Sequence, residues 1–506
     1  MTRRAVLLLL LFIVPANAQP AGGFDPALIT NVYAAALAFM APRTLDPVPV
    51  GTLTVWGLRG LTALDPSLTA ELRDGNLVLA AGDRVVLTEV PPAGQQPAAW
   101  AAAVVRLYAS AMAVSPAIRR AGTQAIIQSF FDEMFNHLDP YSRYAAPAEA
   151  AEDRAHRNGS AGLGITLAQH DATIVVQQAV SDGPAVQAGL DRGDTILAVD
   201  GEPVRQLDVG DVERLMAGPE GTGVRISWRN SDGHPRSADL VRALVPPETV
   251  FPDILGDMLV LRISSFSEST ASHLEHDLRQ GLADPRQPAG IVLDLRGNRG
   301  GLLRQAVEAA DMLLPAGMVA TTKGRDPNAD HAFTSGRGEM ARDMPVVVLV
   351  DGRTASAAEI LTAALADRGR AVVVGSSTLG KGLVQTIDPL PDGGELFVTW
   401  SRVLAPRGWP IQGLGVLPQV CTSLGEAALH RQLAALAEGL QPASHDLAVD
   451  RAMRPPLQPA EVVAIRNTCP AGEGSDLDFE AADALIDNPA AYAAALLPPM
   501  GQPIAP

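Results

Sequence analysis

Apolar residues change their spacing three times along this chain, and each change marks a different kind of structure. In the first stretch they recur at helical spacing over residues 27–40, 98–112 and 124–138. The last of these carries Ile126, Ile127, Phe130, Phe131, Met134 and Phe135. Between them, residues 76–89 read as a hairpin turning at Ala81-Gly82-Asp83. Leu138-Asp139-Pro140-Tyr141-Ser142 then breaks the last helix. From residue 159 the apolar runs become short, strand-like and punctuated by Gly and Asp. From about 249 continuous β-branched runs alternate with helical patterns, the signature of buried strands in an α/β sheet. Beyond Pro418 the chain returns to Ala-rich helix, with a break at Pro489.

The pattern therefore predicts a multidomain α/β chain with helical N- and C-terminal regions. Its segments are an N-terminal mainly helical domain over 19–158, a strand-rich domain over 159–248, an α/β core over 249–420 and a helical region over 421–506. Residues 1–18 read as a secretory signal. Arg3 and Arg4 precede an apolar run, and Ala16-Asn17-Ala18 forms a small-residue cleavage site. The run is too short to span a bilayer. An exported, periplasmic protein is expected, soluble or peripherally membrane-associated.

Composition narrows the function classes. The chain has 506 residues, 47% hydrophobic and 19% charged, which is globular. A net charge of −17 without any sustained basic cluster argues against nucleic acid as a partner. Cys421 and Cys469 are the two cysteines; in an exported chain they read as a disulfide, with buried free thiols as the alternative. Nothing in the sequence calls for a metal or a cofactor.

Candidate chemistry concentrates in MPVVVLVDGRTASAAEILTAALADRGRAVVVGSSTLGKGLVQ, residues 344–385. A buried strand leads through a small-residue turn to Ser356, which opens a helix where unpaired N–H groups and the dipole favour a developing anion. A second strand leads to Lys381, flanked by Gly380 and Gly382. Lys323 and Lys381 are the sole lysines among 39 basic residues. Arginine cannot give up its proton in a protein, whereas a buried lysine can. A serine nucleophile with a lysine base is the chemical reading; a capping serine and a surface lysine are the plain one. Upstream, Arg296-Gly297-Asn298-Arg299-Gly300-Gly301 is a glycine turn entering a helix, suited to presenting N–H groups.

Two resemblances follow from these motifs. Gly162-Leu163-Gly164-Ile165, PAVQAGL from Pro184 and GDTILAVDG from Gly193 stand in the order seen in PDZ domains. By that resemblance Leu163, Gly164 and Ile165 hold a substrate's C-terminal carboxylate and the adjoining strand edge accepts its tail; a simple turn is the alternative. Over nearly everything after Phe130 the chain resembles the C-terminal processing peptidases, tail-specific serine–lysine proteases. LDPYSRY, the PDZ block, RISSF, IVLDLRGNRGGLL, TASAAEI and LGKGLVQ occur in family order. The resemblance implies a crotonase-like ββα peptidase core with an inserted PDZ domain. It also implies Ser356 as nucleophile, Lys381 as general base and Gln385 as the group positioning the lysine. The N–H of Ala357 and one from Gly300 or Gly301 would form the oxyanion hole. Its partners would be proteins or peptides with apolar C-termini, with an adaptor protein among those the family allows. The helical termini are compatible with a homodimer.

Three positions depart from the family's usual residues, Ala358, Leu379 and Gln419; they bear on substrate preference, since none carries the chemistry. A competing reading is a non-catalytic PDZ scaffold or regulator whose peptidase fold has lost activity, against which stands the family spacing of Ser356, Lys381 and Gln385. The nine histidines are scattered, and His273 with His276 reads as a surface pair on a helix.

Overall fold

Consecutive residues of the core strands point into two different apolar layers, which is why those strands read as unbroken hydrophobic runs. The computed structural model describes residues 23–498, apart from 172, 181–182, 441–446, 448–450 and 452–456. The expected signal segment lies outside the described residues. The described chain divides into two units, one formed by residues up to 41, 47–146 and 388–397, the other by 42–46, 147–387 and 398 onward.

In the first unit, the helices Pro26–Arg43, Val50–Leu58, Pro97–Val114 and Pro116–Phe135 surround an aromatic centre. Tyr33 stacks on Phe130 with centroids 4.1 Å apart and meets Phe131 edge-on at 5.7 Å. The hairpin Asn76–Ala81 with Arg84–Glu89 is present, and Leu68–Arg73 adds a third antiparallel strand. The helix expected from residue 124 begins earlier, at Pro116, with Ser115 Oγ accepting from Ile118 N–H at 3.1 Å. Gly122 breaks it with φ of 75°.

In the second unit, residues 159–248 form a five-strand path running from Pro235–Val241 at one edge to Ile165–His170 at the other. Trp228, Ile226, Ile196, Val176 and Leu190 are buried beneath it. Ser160–Gly162 pairs antiparallel with Ala243–Val245, so the segment enters and leaves at one place.

The core sheet runs in the order Val250–Leu255, Met258–Ile263, Gly290–Asp294, Val346–Val350, Val372–Gly375, Val420–Cys421. The first pair is antiparallel and the remaining pairs are parallel. Leu259, Leu261, Ile291, Leu293, Val346 and Val348 pack with the helices Thr270–Leu282, Leu303–Leu313 and Ala357–Asp367. Their neighbours Val260, Val292, Val347 and Leu349 instead pack with Glu426–Ala437, Asp476–Asp487 and Pro489–Ala495. The C-terminal helices thus cover one face of the core sheet. The last strand, Val420–Cys421, straddles the boundary expected between core and C-terminal region. Gly317–Gly324, His331–Ser335, Leu383–Pro389 and Glu395–Leu404 build a further sheet that carries Gln385.

Candidate active site

Ser356 and Lys381 both follow the carboxyl ends of adjacent parallel strands, where α/β sheets open a crevice. Val346–Val350 ends in a turn organised by Asp351, which is 1% exposed. Its Oδ1 accepts from the N–H groups of Arg353, Thr354 and Gly297, each at 2.9 Å. Thr354 Oγ1 donates to Leu295 O at 2.9 Å, and Ala355 N–H donates to Asn298 O at the same distance. The turn leading to Ser356 and the glycine turn are therefore tied together before Ser356 is reached.

Ser356 has φ of 57° and ψ of −118°. A non-glycine residue held there stores about 1–3 kcal/mol of strain and persists only where its surroundings over-determine it. Its N–H donates to Glu359 Oε2 at 2.8 Å, and the helix Ala357–Asp367 starts at the next residue. Ser356 is half-buried while Glu359 is fully buried.

Glu359 is the residue that sequence reasoning missed. Lys381 N–H donates to the same Oε2 at 2.9 Å. Gly380 N–H donates to Oε1 at 2.7 Å, and the Thr378 hydroxyl donates to that oxygen as well. Burial pushes its carboxyl above the usual range, with these four donors pulling the other way. The signal was available as a buried glutamate three residues into an apolar helix. Its partners lie far off in sequence, so no periodicity names them.

Gly300 and Gly301 lie beside the serine. A Cβ on Gly300 would sit 2.8 Å from Ser356 Cβ and 3.0 Å from Ala357 N, and its φ is 96°. A Cβ on Gly301, with φ of 141°, would meet Phe266 O at 2.1 Å. No other residue type fits either position without displacing backbone. The Gly300 N–H donates to Asn298 Oδ1 at 2.8 Å, and Asn298 is itself pinned by its Nδ2 donating to Ile263 O at 2.7 Å. Among the described residues the N–H groups of Gly301 and Ala357 have no acceptor.

Gln385 lies on the strand Leu383–Pro389, and its Nε2 donates to Thr399 Oγ1 at 3.1 Å and to Leu383 O at 3.3 Å. These two bonds hold the carboxamide in place. A cavity of about 290 Å³ lies next to the serine, lined by Arg299, Gly352, Arg353, Ala355, Leu379 and Lys381.

Cys421 and Cys469 are joined as a disulfide. The segment around Cys469 braces both the turn before Ser356 and the turn before Lys381. Cys469 O accepts from Ser377 N–H at 3.4 Å and from its hydroxyl at 2.5 Å. Gly472 O accepts from Gly352 N–H at 2.8 Å and from Ser376 Oγ at 3.1 Å. His276 is exposed as expected, but His273 is half-buried and its Nδ1 has no hydrogen-bond partner. Among the described residues no cluster of His, Cys, Asp or Glu could hold a metal ion.

In the strand-rich segment, Gly164 has φ of 77° and a Cβ there would approach Gly183 Cα at 3.1 Å. Leu163 O and Gly164 O accept from Ala185 and Val180 N–H. The N–H groups of Leu163 and Gly164 themselves have no acceptor among the described residues. Ile165 begins the strand at the free edge of the sheet.

Residues 257–422 match Peptidase family S41, and residues 175–230 match the PDZ domain. A carboxy-terminal-processing protease of Bartonella bacilliformis is 34% identical over 301 residues, spanning 59% of this chain and 69% of that protein. The chain belongs to peptidase family S41. This S41 chain is a serine-type peptidase with a PDZ domain, and its relatives are carboxy-terminal-processing proteases. One from Synechocystis is 33% identical over 297 residues, covering 57% of this chain and 69% of the relative. Among solved structures it is similar to a photosystem II D1 C-terminal processing protease, at 27% identity and a TM-score of 0.35 over 65% of this chain and 90% of that one.

Proposed function

We propose that this S41 peptidase is an exported endopeptidase that cleaves proteins near their C-termini with a Ser356–Lys381 dyad. The observation that carries the reading is the shared oxygen of Glu359, which anchors the backbone of both residues in one buried site. In the first step the neutral Lys381 amine takes the Ser356 hydroxyl proton while Oγ attacks the scissile carbonyl carbon. The carbonyl π electrons move to oxygen, and that oxyanion accepts from the N–H groups of Ala357 and Gly301, both without an internal acceptor. Collapse expels the amine, which takes the proton from the Lys381 ammonium, and leaves an acyl ester on Ser356. Water, deprotonated by Lys381, hydrolyses the ester by the same route. Gln385, on the strand after the lysine turn, is assigned to steering the lysine arm.

The PDZ segment binds the substrate's C-terminus in this reading, with the unpaired N–H groups of Leu163 and Gly164 receiving the carboxylate and Ile165 opening the strand that pairs with the tail. Export to an oxidising compartment is supported by the N-terminal signal pattern and by a cysteine pair within bonding geometry.

The test is cleavage of an unfolded protein with an apolar C-terminus by the wild type, Ser356→Ala and Lys381→Ala. Activity lost in both variants at unchanged circular dichroism supports the dyad. Activity retained in either removes that residue from its role.

A further inference from the structure

The PDZ groove is acidic, and this bears on which tails it takes. The free edge of Ile165–His170 and the helix Val209–Met216 border a cavity of about 490 Å³. Leu163, Ile165, Leu167, Met216, Val245 and Phe251 give it an apolar lining. Two charged side chains join them, Glu213 and Glu248, and among the described residues no Lys, Arg or His lines the groove. Neither carboxylate has a hydrogen bond or ion pair among the described residues. The basic groups nearby in sequence are engaged elsewhere. Arg214 pairs with Asp211, and the Arg242 guanidinium donates to Met216 O at 2.8 Å.

We infer that this groove selects protein tails carrying Lys or Arg two residues before an apolar C-terminal residue. The inference rests on the reading that the groove receives a substrate's C-terminus. With the terminal carboxylate on the Leu163 and Gly164 N–H groups, the tail runs antiparallel along Ile165–His170. The terminal side chain then enters the apolar end beside Met216. Side chains of an extended tail alternate faces, so the third residue from the end faces the helix again, about 6.6 Å further along. Glu213 is three residues before Met216 on that helix, about 4.5 Å back along its axis and on the same face. A lysine or arginine arm at that position reaches the Glu213 carboxylate. Glu248 places a second negative charge in the same groove, which disfavours an acidic tail at any position.

Fluorescence anisotropy on the whole chain carrying Ser356→Ala, with peptide integrity followed by mass spectrometry, tests this. Three fluorescein-labelled tails ending in the same apolar residue would differ only at the third position from the end, as Lys, Ala or Glu. The Lys tail is expected to bind roughly threefold to tenfold more tightly than the Ala tail, as fits one partly exposed ion pair. The Glu tail should bind more weakly than both. Glu213→Gln should remove most of the difference between Lys and Ala. Equal affinities for the three tails, or a Lys preference that survives both Glu213→Gln and Glu248→Gln, would overturn the inference while the groove still binds tails. Failure to bind any tail, with the chain folded by circular dichroism, would remove both the tail-binding reading and the inference resting on it.

Discussion

Ser356 and Lys381, 25 residues apart in sequence, donate their backbone N–H groups to a single oxygen, Glu359 Oε2, at 2.8 and 2.9 Å. A buried carboxylate with four donors holds the two turns as one object. Loosening either turn would change the position of both members of the proposed dyad at once, and small misplacements are costly in catalysis.

Glu359→Gln keeps the shape but turns an NH₂ group toward N–H donors. We expect kcat to fall at least about tenfold with the fold retained, since a lost charge-assisted bond in a buried network costs on the order of 1.5–3 kcal/mol. Measured kcat near wild type would show that the shared oxygen does not position the dyad.

The same residue sets a pH dependence of stability. Burial raises its carboxyl above the ordinary value of 4.5, so the folded state binds the proton more tightly than the unfolded chain. That contribution is fully present below the ordinary value and is lost as pH rises through the raised one. The Tm of the wild type minus that of Glu359→Gln should therefore be largest in acid and shrink as pH climbs. A difference that grows with pH would contradict the raised value.

Lys381→Arg should fail to rescue activity. Arginine keeps the positive charge but cannot act as a base in a protein. We expect kcat within about tenfold of Lys381→Ala, measured on an unfolded substrate. Substantial activity in the arginine variant would mean that position 381 supplies charge and not proton transfer.

The two glycines of the turn should differ in how they fail. Gly300→Ala brings a Cβ to 2.8 Å from Ser356 Cβ, at a φ that L side chains rarely adopt. Gly301→Ala meets the Phe266 carbonyl at 2.1 Å and moves the N–H that has no acceptor. Loss of one oxyanion donor is worth about 10²–10³ in kcat. Gly301→Ala should show that loss in kcat with KM little changed, while Gly300→Ala should also displace the serine and abolish labelling by a serine-reactive acylating probe. Equal, mild effects from both would separate the turn from the oxyanion.

Reducing the Cys421–Cys469 disulfide opens a loop with a separation of 48 residues. Loop-closure entropy for that length amounts to about 4 kcal/mol. The double Cys→Ser variant should therefore show a lower Tm by differential scanning calorimetry. Activity should fall before global unfolding, because Cys469 O and Gly472 O brace the turns carrying Ser376, Ser377 and Gly352. Coincident loss of activity and fold on heating would show that the brace has no separate effect.

Strands covered on both faces were legible as apolar runs, since every residue of Val346–Val350 is buried. Some half-exposed ones were not. Val250–Leu255 buries Val250 alone and contains Pro252, which reads as a loop. Leu383–Pro389 is mostly half-buried and follows two glycines, so the strand bearing Gln385 was hidden. The pairing of Ser160–Gly162 with Ala243–Val245 spans the whole PDZ segment, and no local pattern announces it.

The amino-acid sequence by itself determined where helical and strand-rich segments lie, because hydrophobic period and turn chemistry are written in neighbouring residues, and its motifs carried the resemblance that pointed to the family and to the candidate serine, lysine and glycines. Tertiary structure alone decided which groups serve one another. It joined Ser356 to Lys381 through Glu359, engaged the Gly300 N–H with Asn298 while leaving that of Gly301 open, and set two unpaired glutamates along the PDZ groove. Hydrogen bonds and charges act through space between residues distant in the chain, so they leave no period to read.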